Sequence, residues 1–255
     1  MIEFIKARGR RTRFSEIFYV IFNALLPVVL LLLVRGFDPP LLAFALVFLS
    51  KWRVFALRPR FWWPNIKANA VDLLVGVSAV GLMYLASTML VLQILIAIAY
   101  AAWLLIVKPR SSSKGIKLQA GIAQFVGLLT LFHFSIVIPE LMVVAGCWLI
   151  GYVVARHAIS NYEESHVELF SAIWGLVVAE LGWLLYRWTI VYDLGLPIKI
   201  PQMVLLVFVI GFSAIRMYHL AKHEQLTAQA LRGTVIFASL LLAAILVFSP
   251  WDATV

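Results

Sequence analysis

Apolar runs separated by short polar breaks recur along the whole chain, leaving no stretch over for a separate soluble domain. A bilayer core about 30 Å thick takes roughly 20 residues of helix to cross. On that measure nine candidate spans fall at 17–34, 39–57, 71–87, 89–107, 119–138, 141–156, 168–188, 202–219 and 234–250. The expected fold is an all-α integral membrane protein, a polytopic bundle forming a single transmembrane domain over residues 1–255.

The second span is the weakest. "PPLLAFALVFLS" would reach only about 18 Å as helix, so it must extend through "KWRVFAL", with Lys51 and Arg53 snorkelling to headgroups, or else dip in as a re-entrant segment. Residues 71–107 have the opposite difficulty, because one helix of that length would run about 55 Å. A tight hairpin near "AST" at 86–88 resolves it. Between spans two and three, "RPRFWWPNIK" alternates cations and aromatics around two prolines. Trp62 and Trp63 suit the headgroup layer, while Arg58, Arg60 and Lys67 suit anionic lipid.

Composition confirms the environment: 64% of the 255 residues are hydrophobic and only 13% are charged, outside the soluble range. The net charge of +9 would raise a nucleic-acid partner for a soluble chain, but here topology and anionic lipid account for it, and none is expected. With the N-terminus inside, only Arg35, Arg187 and Lys199 of the 21 Lys and Arg residues fall outside. That distribution predicts a cytoplasmic N-terminus, an external C-terminus and residence in the plasma (inner) membrane. The basic start "MIEFIKARGRRTR" reads as a retained anchor, since no small-residue cleavage site follows it. Cys147 is the only cysteine, so no internal disulfide can form.

Candidate chemistry centres on Glu180, an acid about 18 Å into span seven. Ionisable groups at such depth are costly, and usually face the protein interior or a water-filled cavity. Arg187, seven residues on, shares its helical face, and His133 in span five lies at comparable depth. These three form the expected ligand- or proton-binding group. Gln93 and Asn23 read as hydrogen-bonding glue between helices. Ala172, Gly175, Ala179 and Gly182 make a small-residue stripe about 110° from Glu180, suited to close packing. Span seven is therefore expected to be central, with Glu180 buried.

A second cluster, His157, Glu163, Glu164, His166 and Glu168 with His219, His223 and Glu224, follows spans six and eight. Glu163 and His166 have a spacing used at carboxylate-bridged metals. His219 and His223 sit one helical turn apart, as two imidazoles on one metal do. A second Glu-x-x-His is missing, and no phosphate loop, His-Glu-x-x-His or Gly-x-Ser-x-Gly motif is present. No cofactor is indicated. The leading expectation is membrane-embedded binding or transport of a small molecule or ion through a buried carboxylate. A metal-dependent enzyme acting on lipid, and a structural subunit with membrane partners, are the alternatives.

Overall fold

A computed structural model of the protein describes residues 13–52, 58–162, 164–187 and 190–251. Helices occupy the apolar runs: α1 (Arg13–Gly36), α2 (Leu41–Leu49), α3 (Trp62–Leu85), α4 (Leu90–Ala102), α5 (Ser113–Phe134), α6 (Glu140–Ile159), α7 (Val167–Tyr186), α8 (Gln202–Lys222) and α9 (Ala228–Val247). A π-helical turn at Trp103–Val107 extends α4. All but α2 are long and apolar enough to cross a membrane. Helix is the expected solution, because in lipid each backbone polar group has to find its partner within the segment. The protein is thus an all-α, multi-pass membrane bundle, with one short antiparallel strand pair, β1 (Val191–Tyr192) and β2 (Ile200–Pro201), between α7 and α8.

Local chemistry sets several boundaries. Ser112 caps α5 by accepting from the Gly115 amide, and Thr227 caps α9 by accepting from that of Ala230. The break between α3 and α4 falls at residues 86–88, where the sequence places its hairpin. Helix α3 begins nine residues earlier than the expected span at 71, because Pro64 lies in its first turn, where a missing amide costs nothing. Trp62 and Trp63 therefore stand on the helix itself, exposed beside Arg58 and Arg60.

The expected helical span at 39–57 is corrected. Helix α2 has only nine residues, and Ser50 closes it. Lys51 does not snorkel to headgroups; it turns inward to Asp72 of α3. The path nonetheless keeps its direction, as the contacts at the two ends of the bundle show. Arg35 at the end of α1 donates to Gln93 at the start of α4 (2.9 Å), and Gln93 donates to the Met83 carbonyl near the end of α3 (2.9 Å). At the opposite end Lys51 and Lys108, following α2 and α4, meet on Asp72 in the first half of α3. Since α1 and α3 both finish at the Arg35 end, the chain between them returns to the Lys108 end. Residues 53–57 lie outside the described residues.

The same alternation continues. Glu140 at the start of α6 pairs with Arg187 after α7 at the Arg35 end (3.0 Å). Arg156 late in α6 pairs with Glu168 early in α7 at the other (3.2 Å). Helices α3 and α5 form the centre, each 56% buried across its apolar window, while the window of α9 is 6% buried. The expected central place of span seven is also corrected, since α7 lies against α6 and leaves a long face exposed. Its small residues are used as expected: a Cβ on Gly175 would lie 2.8 Å from the Trp148 carbonyl oxygen, and one on Gly182 2.5 Å from Cys147 Sγ. The two helices approach too closely there for any side chain.

Candidate functional site

At the Lys108 end, α5, α6, α7 and α8 diverge around a cavity of about 820 Å³. Its wall is mainly apolar, with Phe170, Trp174, Phe208 and Ile215 among the lining side chains. From His219 at the Lys108 end to Phe208, α8 advances about 16 Å along it, and Phe208, Phe170 and Ile173 are exposed, so the cavity is a cleft open along its flank. Three cations, Lys114, Lys117 and Arg216, line its Lys108 end. None of the three forms a salt bridge among the described residues. Lys117 instead lies over the Tyr162 ring, 5.6 Å from its centroid, and the Tyr162 hydroxyl meets Nδ1 of His219 at 3.0 Å. Beside them Glu164 holds Lys222 at 2.9 Å. That hydrogen bond, with others from Tyr218 and the His166 amide, lowers the Glu164 pKa to about 2.

One polar group, the Gln124 amide, lies in the apolar part of the wall. Gln124 donates to the Val207 carbonyl (3.0 Å) and accepts from Trp174 Nε1 (3.2 Å). Gly211 gives it room, since a Cβ there would lie 2.9 Å from the Gln124 amide nitrogen. The cleft is therefore amphipathic along its length, cationic at the Lys108 end and apolar beyond it, with the fixed Gln124 amide in its apolar part. Such a shape accepts an elongated molecule with an anionic head and an apolar body.

A buried ionic cluster stands nearer α2. Asp72 is 6% exposed, accepts from Lys51 and Lys108, and takes a third hydrogen bond from Trp103 Nε1 at 3.0 Å. Trp103 opens the π-helical turn, a local widening at that end of α4. Asp72 is the buried carboxylate that the sequence reading sought at Glu180. A signal is present, since Asp72 is the sole acid within residues 71–107, but it lies one residue inside the expected span and is not singled out.

The expected trio is not brought together. Glu180 is exposed on α7, a correction to its expected burial, because the inward face of that helix is occupied by the small-residue stripe. Arg187 pairs with Glu140, and His133 donates from Nδ1 to the Leu129 carbonyl of its own helix (2.8 Å). Gln93 acts between helices as expected, whereas Asn23 bonds to the Tyr19 carbonyl one turn back. Of the metal candidates, His219 and His223 are neighbours with ring centroids 4.4 Å apart. His166 is exposed, and Glu163 lies outside the described residues. Among the described residues no three His, Cys, Asp or Glu side chains gather as metal ligands. Lys67 pairs with Glu168 (2.6 Å), which also accepts from Tyr152. No protein-family model, curated protein or solved structure matches the chain.

Proposed function

We propose that this membrane protein binds an amphiphilic anion, with the apolar body of the ligand in the cavity between α5 and α8 and its head at Lys114, Lys117 and Arg216. The observation that carries this reading is the Lys108 end of the cleft: three cations without carboxylate partners among the described residues, beside an apolar wall. A bare cluster of cations is electrostatically unfavourable, and an anion placed among them relieves the repulsion. The apolar wall then favours a lipid-like body over a small hydrated ion. This keeps the small-molecule binding inferred from the sequence while moving it from Glu180, His133 and Arg187 to a different set of residues. The basic residues gathered at the Lys108 end support placing that end in the cytoplasm, where anionic lipid is concentrated.

Native mass spectrometry of protein released from nanodiscs with equal phosphatidic acid and phosphatidylcholine tests the proposal. One phosphatidic acid should be retained in preference to phosphatidylcholine. K117E combined with R216E should reduce that retention about tenfold, a loss equal to about 1.4 kcal/mol. Equal retention of the two lipids, or no effect of the double variant, would refute it.

A further inference from the structure

The exposed face of α7 carries Leu169, Ile173, Leu176, Glu180, Trp183 and Arg187, at successive spacings of four, three, four, three and four. All six are exposed. That is the 3.5-residue repeat of a seam between parallel helices, with one polar position near its middle. Other helices also show apolar faces to lipid, but this one places a carboxyl there. Glu180 makes no hydrogen bond or ion pair among the described residues, and it lies six residues, about 9 Å, short of the Tyr186 end. Its Cβ leans toward the N-terminus of α7, away from that nearer end, which works against snorkelling.

We propose that α7 is the contact surface of a parallel homodimer in which the two Glu180 carboxyls hydrogen-bond to each other across the seam. A second copy is the occupant the chemistry selects. A protonated carboxyl carries one donor and an acceptor oxygen, so it is its own complement. A two-fold axis along the membrane normal brings identical residues together at identical depth. The cation of this chain that is nearest along the same face, Arg187, already serves Glu140. The small-residue face of α7 is taken up by α6, which leaves the exposed stripe for an external partner. A polar group at one seam position also fixes register, as buried polar residues do in coiled coils. Ile173 of the seam also lines the cavity, but Leu176, Glu180 and Trp183 do not, so the variants that test the dimer leave the cavity wall unchanged.

The full chain in lipid vesicles at low protein-to-lipid ratio provides the test. L176C and W183C, each introduced singly, should form disulfide-linked dimers on oxidation, while F237C on the exposed face of α9 should not. E180L in either background should lower the linked fraction about tenfold, the loss expected for an interhelical hydrogen bond, and E180Q, whose amide is also self-complementary, should retain it. Two-step photobleaching of labelled protein would support the dimer without any seam variant. Single-step bleaching, linkage at F237C equal to that at L176C, an E180L dimer undiminished, or association only with a different protein would each overturn it.

Discussion

Substituting asparagine for Asp72 removes one negative charge and leaves its two lysines facing each other across a neutral amide. The side chains of Asp72 and Lys51 are 8% and 12% exposed, so Lys51 has little access to water once its partner is lost. Removing one member of such a buried pair costs about 3 to 5 kcal/mol, mostly from the charge left behind. Lys108 is different, with 32% of its side chain exposed, and it can swing toward the headgroups. Its share is closer to the ~0–1 kcal/mol of a surface pair. Trp103 keeps its acceptor in the amide oxygen, so the loss is almost wholly electrostatic. We therefore expect D72N to destabilise the bundle by about 3 kcal/mol, or about two powers of ten in the unfolding constant. Denaturation in mixed micelles with increasing dodecyl sulfate, followed by circular dichroism, measures it. Adding K51M to D72N should restore most of the stability, because the stranded charge is then gone. A loss below about 1 kcal/mol, or no recovery in the double variant, would refute the view that this cluster holds the short α2 in place.

Packing of α7 on α6 and the acid response of the Lys108 end give two further tests. G175A should lower stability by about 1 to 3 kcal/mol, since the added Cβ meets a backbone carbonyl that has nowhere to retreat. G233A, with nothing within 4 Å, should leave the melting temperature unlowered. Glu164 has its folded pKa lowered to about 2, so its stabilisation is complete above its unfolded value of about 4.3 and is lost as pH falls from there through 2. Stability measured over that interval should fall with acid, and K222M should flatten the slope because the hydrogen bond that lowers the pKa most is removed.

Much of the architecture is legible in one dimension because the membrane imposes one rule on every segment. Length and hydropathy find the eight long helices, while the second span, expected to run as helix to 57, shortens to nine residues. The hairpin at 86–88 and the close packing of Gly175 and Gly182 follow from equally local signals. Sequence also separates two faces of α7 at the correct angle. It does not say which face looks inward. The rule that buried acids face the interior pointed to Glu180, whereas the structure buries Asp72 and exposes Glu180. Residue depth is a property of one helix and is read from its sequence; which side of that helix meets a neighbour depends on how the neighbours are arranged. The cavity has the same origin. Lys117, Gln124, Trp174 and Arg216 come from three helices, and no spacing along the chain records that they converge. Hydrophobicity thus determined the environment and the helical segments, while side-chain packing between helices decided which polar groups are partnered and which are left exposed.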